Sequence, residues 1–347
     1  MSNYFNNLNN IVKEYFSILS KDIPDFLDEY IETKEMKHLS GVSLSCGMDY
    51  TKFYNIPIFY SQLDHSVGVA LIIWNFTKDK KQTLAGLFHD ISSPTFKHCI
   101  DFMNNDHVKQ ESIELNNYNI IKNSKEIMSL LKEDNIKIEE VCDYKIYPIA
   151  DNNSPRLSAD RLEYNFSSGL TFKKIWNLDD IRKIYNNLVI AKNEDNIDEI
   201  SFASKDLCKY YINNTLILWY EWISDKNRIS MQFIADTCKN LINKKLVTVD
   251  DLYKLSEQDI IDKIYKSKDN KLIKDWTNFI NTNKVYKSNT YIKDKYCIKV
   301  SSKKRYIDPL VINNNKILRI SSISKETNKN LEKYLSINLD YYIYTKL

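Results

Sequence analysis

The sequence predicts a mostly α fold in which a large helical body precedes a small β-rich C-terminal part. Apolar residues recur at helical spacing through most of residues 1–283, and short strand-like runs follow from Val285 onward. The hydrophobic content of 43% and the charged content of 27% are those of an ordinary folded protein. We divide the chain into N-terminal helices (1–40), a helical core (41–187), a hairpin with a helical extension packed on the core (188–283), and a β-rich region (284–347).

The first helices are predicted from apolar spacing and from one capping signal. Residues 4–38 are expected to be helical because they carry apolar side chains at helix-like intervals, among them Ile11, Tyr15, Ile18 and Leu19. Ser61 has the chemistry of an N-cap, and Asp64 lies in the first turn, where a negative charge is stabilised by the helix dipole. The helix behind this cap directs three apolar residues inward: Val67, Leu71 and Trp74.

Further helices of the core are predicted from their boundaries. A second helix spans about residues 81–90, and a third begins with Ser93 as its cap and Pro94 in its first turn. Residues 123–126 resemble a capping box ahead of another apolar run. Ser158 is predicted to cap a later helix, which Gly169 would end.

The pattern changes after residue 187. Residues 188–203 read as a β-hairpin, because two apolar runs flank a polar turn. Helical periodicity returns from Ser204 to about Asn281, with Thr248 and Ser256 as caps. Strands are then expected at three places: Tyr291-Ile292, Tyr296–Val300 and Ile317–Ile320.

Composition and charge disfavour several classes of function. A net charge of +3 is too balanced to favour a nucleic-acid partner, and only five glycines argue against a glycine-rich phosphate loop. The six cysteines include no Cys-x-x-Cys pair, which favours buried thiols in a reducing compartment over zinc or redox sites. We find no basic-then-apolar leader and no apolar stretch long enough to cross a bilayer, so we expect a cytoplasmic protein with no membrane partner.

Two histidines and two aspartates stand out as candidate metal ligands: His65, the adjacent pair His89-Asp90, and Asp160. Their mixed nitrogen and oxygen donors suit one divalent ion of octahedral habit (Mn, Fe, Mg, Ni or Co), with positions left for water and a phosphate oxygen. The four residues fall on three predicted helices, with His89 and Asp90 on the same one, so only tertiary packing can bring them together. The alternative is a set of helix caps and polar core residues.

The order of these residues resembles the H…HD…D pattern of the HD-domain metal-dependent phosphohydrolases. Gln62–Gly68 is similar to a family segment Arg-Phe-Glu-His-Ser-Leu-Gly, and Leu87–His98 is similar to Cys-His-Asp-Leu-Gly-His-Gly-Pro-Phe-Ser-His. Asp160–Tyr164 is similar to Asp-Lys-x-Asp-Tyr. These segments belong to the deoxynucleoside triphosphate triphosphohydrolase (dGTPase-like) branch, whose members cleave a dNTP to deoxynucleoside and triphosphate. The resemblance covers roughly residues 40–170 and implies that 41–187 form an HD metal-binding core.

The chain departs from that branch at positions that handle substrate. Gln62 stands where the branch has an arginine before the first metal histidine, and Ser93 stands where it has a histidine. A histidine linked to proton transfer is replaced by Gln110, and an aspartate that contacts the sugar is replaced by Ser168. The resemblance therefore implies a diverged member whose metal ligands are intact.

Three residues are candidate catalytic groups. His98 matches a retained histidine of the branch and can orient a phosphate or act as an acid, with a partly buried helix histidine as the alternative. His107 can replace the missing proton-transfer histidine, although a solvated loop histidine is the favoured reading. Glu111 can orient a catalytic water or a nearby histidine, against the alternative of a surface helix residue.

Four further residues are candidate substrate contacts: Gln62, Lys97, Arg161 and Tyr164. Tyr164 lies four positions after Asp160 and shares its helix face, whereas Arg161 is offset by about 100°. A salt-bridged arginine and a packed tyrosine are the alternatives. The basic run 302–306 can reach a phosphate or a neighbouring subunit, although such runs are usually solvated surface.

The leading functional hypothesis is a metal-dependent phosphohydrolase that hydrolyses a nucleotide (dNTP-like or a related phosphate ester) by a metal-activated water, with Mn among the expected ions and a homo-oligomer as the expected assembly. The alternative is a catalytically diverged nucleotide-binding sensor or regulatory protein. A cyclic-dinucleotide phosphodiesterase is less favoured, because a second metal would need more histidines than the five present.

Overall fold

The computed structural model describes residues 3–108, 116–314 and 316–346. Across these ranges the chain forms seventeen α-helices and seven β-strands, which confirms the mostly α class with a sheet-rich C-terminal part. The N-terminal helices are α1 (Asn3–Asn7), α2 (Asn10–Leu19), α3 (Phe26–Ile31) and α4 (Lys34–His38). The expected helical stretch 4–38 is therefore interrupted. Ser20 is extended after α2, and Pro24 lies in the connection to α3, where its ring disfavours a continuous helix.

The central helices are α5 (Gln62–Thr77), α6 (Lys80–Phe88), α7 (His98–Met103), α8 (Asn117–Asn123), α9 (Lys125–Glu133), α10 (Ala159–Thr171) and α11 (Leu178–Tyr185). The predicted caps of α5 and α10 are confirmed. Ser61 Oγ accepts a hydrogen bond from Asp64 N at 3.0 Å, and Ser158 Oγ accepts one from Arg161 N at 3.3 Å. These caps fix where the first turns of α5 and α10 begin.

The third predicted helix starts later than expected, because α7 begins at His98 and not near Pro94. The backbone N–H of Thr95 is bound to Leu252 O at 2.7 Å. Phe96 and Lys97 then take φ values of +62° and +40°, left-handed conformations that a helix cannot contain. The prediction of Ser93 as a helix cap is therefore wrong.

Gly169 does not end α10, which continues to Thr171. A Cβ at Gly169 would lie 2.0 Å from Trp176 Cδ1, so the glycine makes room for the indole. A glycine is needed at position 169 because Trp176 packs closely against it, and not because it forms a left-handed helix cap.

The capping box predicted at residues 123–126 does not form, because the N-cap of α9 is Ser124, whose Oγ accepts a hydrogen bond from Ile127 N at 3.3 Å. The side chain of Glu126, expected to complete a capping box, instead accepts a hydrogen bond from Lys34 N at 3.1 Å. The acidic residue therefore joins α9 to the start of α4.

The C-terminal half contains β1 (Leu188–Lys192), β2 (Asp198–Phe202), α12 (Lys205–Trp222), α13 (Asp225–Asn243), α14 (Glu257–Lys266), α15 (Asn270–Asn281), β3 (Tyr286–Ser288), β4 (Tyr296–Ile298), β5 (Leu310–Asn313), β6 (Lys316–Arg319), α16 (Ile320–Ile323), α17 (Lys325–Leu335) and β7 (Tyr342–Thr345). The predicted hairpin is β1–β2, and Ser204 and Ser256 cap α12 and α14. Thr248 Oγ1 accepts from Asp251 N at 3.1 Å, ahead of a short 3₁₀ turn.

Three strand predictions need correction. Tyr291-Ile292 is not a strand, because a turn closed by Ser288 and Thr290 ends the pairing of β3. The strand expected at 296–300 stops at Ile298, and Ile320 begins α16 instead of ending β6. Helix α17 was not expected from the sequence.

The strands form two sheets. One has the order β1-β2-β5-β6, in which β2 and β5 are parallel and the outer pairs are antiparallel. The other has the order β3-β7-β4 and is antiparallel. The first sheet thus joins the hairpin after the core to strands from the C-terminal region.

Two hydrophobic clusters form the core. The larger is built around α2, α5, α6, α10 and α12, and the smaller around α7, α13, α14 and α15. Helix α5 packs on both α6 and α10, and α7 packs on α13. Within the part of the chain that the structure describes, no helix is both long enough and apolar enough to span a membrane.

Candidate metal centre

Three helices bring His65, His89 and Asp160 to one point. His65 lies in the first turn of α5, His89 directly follows α6, and Asp160 lies in the first turn of α10. The Nε2 atom of His65 is 3.1 Å from Nε2 of His89 and 3.2 Å from Oδ1 of Asp160. One donor atom from each of the three lies within 4.8 Å of the others.

Asp90 adds a fourth donor to this group. Its Oδ2 lies 3.1 Å from His89 Nε2 and 3.7 Å from His65 Nε2. Donors bound to one ion at 2.0–2.2 Å in adjacent octahedral positions are separated by about 3 Å. His65, His89 and Asp160 therefore fit a single divalent ion, and Asp90 lies beside them as a candidate fourth ligand.

The orientation of His89 is fixed by the backbone around it. Its Nδ1 donates a hydrogen bond to Gly86 O at 2.7 Å, and since a carbonyl only accepts, Nδ1 carries the proton. Nε2 then presents its lone pair to the cluster. The side chain of Asn117 donates to His89 O at 2.7 Å and holds the turn after α6 in place.

The orientation of His65 is fixed by a carboxylate that the sequence did not lead us to expect. His65 Nδ1 is hydrogen-bonded to Oε2 of Glu163, which is completely buried. The hydroxyl groups of Tyr60 and Tyr15 donate to Glu163 Oε1 at 2.7 and 3.2 Å. Carboxylates that bind the outer nitrogen of a metal-ligating histidine set its tautomer and raise its basicity. Glu163 lies three positions after Asp160, on the same side of α10, but this spacing alone does not identify His65 as its partner.

Gly68 makes room for this carboxylate. It lies on α5 opposite Glu163, and a Cβ at this position would lie 2.8 Å from Glu163 Cγ and Oε1. That separation is shorter than real side chains tolerate, so any larger residue would displace the carboxylate. The glycine is part of the support of His65.

The ionisable groups of the cluster stabilise one another. Burial alone would lower the pKa of His65, but the charge of Glu163 and hydrogen bonds to Asp160 and Glu163 raise that pKa to about 9. Burial alone would raise the pKa of Asp160, but the hydrogen bond from His65 and the charge of His89 lower it. A divalent cation bound to these atoms would replace the protons that the raised pKa values favour on the imidazole rings, because a histidine ligates through an unprotonated nitrogen.

Two candidate substrate-binding residues contact a metal ligand. Lys97 is buried, and its Nζ is 2.8 Å from Asp90 Oδ2. Gln62 Nε2 donates to the same oxygen at 2.5 Å. The left-handed backbone at Phe96 and Lys97 is costly for residues with large side chains, and it directs the ammonium group toward Asp90.

A cavity of about 140 Å³ opens above the four donors. The apolar part of its lining is formed by Leu44, Met48, Phe172, Trp222 and Met231. The polar part is formed by Lys97, His98, Tyr144, Tyr164, Ser168, Asn227, Ser302, Lys303 and Arg305. A pocket with an apolar wall and a few convergent polar groups is typical of small-molecule sites.

Tyr144 is a further neighbour that the sequence did not identify. Its ring lies 4.9 Å from the ring of His89, and its hydroxyl lies 3.4 Å from Asp160 Oδ2. The tyrosine therefore covers one edge of the donor cluster and presents a polar group to the cavity.

Among the remaining candidates, the structure places His98 and Tyr164 in the cavity wall but not Arg161 or His107. The guanidinium of Arg161 is turned away, donating to Asn152 O at 2.6 Å and pairing with Asp151 at 3.1 Å. The ring of His107 packs 5.6 Å from that of Phe102 and lines a separate surface recess. Glu111 and Gln110 lie outside the described residues.

The chain is similar to two curated proteins, and no protein-family model matches it. It is 22% identical over 319 residues to YdhJ of Bacillus subtilis, covering 88% of this chain and 90% of that protein. It is 26% identical over 162 residues to the metal-dependent phosphohydrolase cns2 of Cordyceps militaris, covering 47% of this chain and 45% of that one.

Solved structures share the fold. A phosphohydrolase from Bacteroides thetaiotaomicron matches with a TM-score of 0.63 and 16% identity, covering 94% of this chain and 97% of its own. A hypothetical protein from Aquifex aeolicus matches with a TM-score of 0.63 and 16% identity, covering 93% of each chain. Together with the cns2 similarity, this shared fold supports the resemblance of the chain to the HD-type metal-dependent phosphohydrolases.

Proposed function

We propose that this protein is a metal-dependent phosphohydrolase whose substrate is a nucleotide or a related phosphate ester. The observation that carries the proposal is the meeting of His65, His89, Asp90 and Asp160 at the floor of a cavity that also presents cationic side chains. The names of cns2 and of the Bacteroides structure support a phosphohydrolase.

The residues present divide the work of such a reaction between them. When bound, a divalent ion supplies charge neutralisation at the phosphoryl group and activation of water. The buried ammonium of Lys97, beside Asp90, offers a second positive charge to the phosphate. Tyr144 and Tyr164 line the same space.

The apolar wall favours a substrate with a ring attached to its phosphate. Phe172 and Trp222 lie in the cavity wall together with Met48. Aromatic and thioether side chains of this kind pack well on planar rings. This wall supports a nucleotide in preference to a purely polar phosphate ester.

The dNTP triphosphohydrolase reaction is the finer form of the proposal, and the resemblance of the motifs favours it. The amide of Gln62 binds Asp90, and Ser168 lines the cavity where the branch carries an aspartate for the sugar. We therefore expect a base and sugar preference that differs from that of the branch.

Turnover of a nucleotide panel tests the proposal. Purified protein loaded with Mn²⁺, Fe²⁺, Mg²⁺, Ni²⁺ or Co²⁺ should release phosphate, pyrophosphate or triphosphate from at least one member. His89→Ala should lower this turnover by about 100-fold or more, since losing a ligand costs at least as much as losing a residue that orients one. Full turnover in His89→Ala would overturn the assignment of the metal ligands.

A nucleotide-binding sensor is the second candidate, and the contacts of Asp90 favour it. Both Gln62 and Lys97 engage Asp90 Oδ2, so two polar groups near the phosphate position are already partnered. A sensor would show nucleotide-dependent thermal stabilisation with no turnover. Measured hydrolysis of any panel member would rule it out.

A further inference from the structure

The C-terminal segment 302–305 lies in the wall of the metal cavity, although it is remote in sequence from every metal ligand. Ser302, Lys303 and Arg305 line the cavity together with the donors from α5, α6 and α10. We propose that this segment completes the substrate site and that Arg305 is its principal anion-binding side chain. The inference rests on the proposed phosphohydrolase function and names the charge class of its substrate.

The guanidinium of Arg305 is held in place by His98. Arg305 Nη2 lies 3.2 Å from His98 Nε2, and His98 Nδ1 lies 2.9 Å from Oδ2 of the buried Asp101. A guanidinium can only donate, so His98 Nε2 must be the acceptor and Nδ1 must carry the proton that Asp101 accepts. His98 is thus neutral and acts as a positioning residue for Arg305.

The surroundings of His98 agree with this assignment. Burial is the main cause that lowers its pKa to about 4, and the charges of Arg305 and Lys97 act in the same direction. A neutral imidazole therefore persists at physiological pH. On the other side, the guanidinium carbon of Arg305 lies 5.9 Å from the ring centre of Tyr164 on α10.

The segment that carries Arg305 is anchored to the helical body. Arg228 on α13 is fully buried, and its Nη1 donates to Val300 O at 2.6 Å and to Leu339 O at 2.9 Å. Ser302 Oγ lies 3.5 Å from Trp222 O, and Lys304 Nζ donates to Leu335 O. These bonds hold the segment on both sides of Lys303. The part of the cavity wall that this segment forms is therefore preorganised.

The charges of the cavity define the class of substrate. Its wall carries three cationic side chains, those of Lys97, Lys303 and Arg305, against the carboxylates of Asp90 and Asp160. Lys97 is paired with Asp90, and a divalent cation bound to the carboxylates would add its positive charge to that of Lys303 and Arg305 in the cavity wall. We therefore infer a substrate with a terminal phosphate of two or more negative charges, and so a phosphate monoester in preference to a diester. Arg305 would supply the guanidinium that is missing at position 62.

Two probes test this inference on the full chain loaded with Mn²⁺. Inorganic phosphate binding is measured by calorimetry, and steady-state hydrolysis is measured with p-nitrophenyl phosphate and bis(p-nitrophenyl) phosphate. Arg305→Gln should weaken phosphate binding and raise KM for the monoester by about 10- to 100-fold, the usual range for a hydrogen bond to a charged group. KM for the diester should change less, and Mn²⁺ content should not change.

Two further variants make the result specific. Arg305→Lys keeps the charge but loses the fork of donors, so it should restore only part of the affinity. Arg182→Gln removes an exposed arginine on α11 and should match the wild type. Unchanged phosphate affinity in Arg305→Gln would overturn the inference while leaving the phosphohydrolase proposal standing. Loss of phosphate affinity in a protein that hydrolyses no ester would overturn the proposed function and support the anion site.

Discussion

His65 and His89 present the same ring nitrogen, Nε2, to the candidate metal site because each Nδ1 is already bound. The partner of His89 is a backbone carbonyl, whereas that of His65 is the buried carboxylate of Glu163. Glu163 in turn accepts hydrogen bonds from two tyrosines, so the whole group is fixed before any ion binds. Preorganisation of this kind raises metal affinity because little order is lost on binding.

Glu163→Gln should weaken divalent metal binding by about 10- to 100-fold, because a neutral amide polarises the His65 ring less than a carboxylate does. The dissociation constant for Mn²⁺, measured by competition with a chelating dye, checks this. Glu332→Gln, on the exposed face of α17, is the matched control and should bind Mn²⁺ as the wild type does. Equal affinities for all three proteins would remove Glu163 from the metal site.

At this scale the sequence predicted which side chains meet at the candidate metal site, but not the residues that hold those side chains in place. His65, His89, Asp90 and Asp160 are recognisable because their neighbours form local motifs. The contact of Glu163 with His65 spans 98 positions and that of Arg305 with His98 spans 207, and neither has a local pattern. Such contacts depend on tertiary packing, which one sequence does not display.

Among elements, the packing of α5 on α10 carries most of the site, because it sets His65 against both Asp160 and Glu163. The caps of these helices were predictable, since Ser61 and Ser158 act on backbone groups only three positions away. The start of α7 was not predictable from local signals. Leu252, on a distant segment, binds the backbone of Thr95, and Lys97 takes a left-handed conformation. Local signals therefore predict helix starts only where no remote partner competes.

Gly68→Ala tests the close approach of α5 and α10. The added methyl group would meet Glu163 at 2.8 Å, so we expect a loss of unfolding free energy of about 1–3 kcal/mol from overpacking, together with weaker Mn²⁺ binding. Urea denaturation of the metal-free protein measures the first effect. Ser66→Ala, on the same helix, removes a buried hydroxyl that has no hydrogen-bond partner among the described residues and should not destabilise the fold. A Gly68→Ala protein as stable as Ser66→Ala would contradict the packing argument.

For the whole molecule, the cavity lies where the two hydrophobic clusters meet. Met48 and Met231 belong to the smaller cluster, and Leu44 and Phe172 pack against the larger one, yet all four line the cavity. The division of the chain at residues 188 and 284 remains a prediction. Strands β2 and β5, which lie on opposite sides of residue 284 in the sequence, pair within one sheet.

A buried carboxyl group, that of Glu257, should make the stability of the fold depend on pH. Glu257 on α14 is fully buried, and burial followed by the charge of Asp49 raises its pKa well above the usual 4.5. Its folded pKa is therefore higher than its unfolded pKa. The stability it contributes is present in full below the unfolded pKa and is lost as pH rises through the folded pKa.

Glu257→Gln should remove this dependence. As pH rises from about 5 to 8, the midpoint of thermal unfolding of the wild type should fall relative to that of the variant. The midpoints of wild type and variant are compared across the whole pH range and not at one pH. This comparison removes any change in stability from the substitution that does not depend on pH. Parallel profiles across the range would show that Glu257 does not titrate in this window.

The central claim is that activity on phosphate esters requires a divalent ion held by His65, His89, Asp90 and Asp160. Metal-stripped protein titrated with Mn²⁺, with bound metal and phosphate release measured in the same samples, tests it most directly. Turnover should rise in proportion to bound metal and saturate at one ion per chain, and His89→Ala should show neither binding nor turnover. Full turnover in the metal-stripped protein would contradict it.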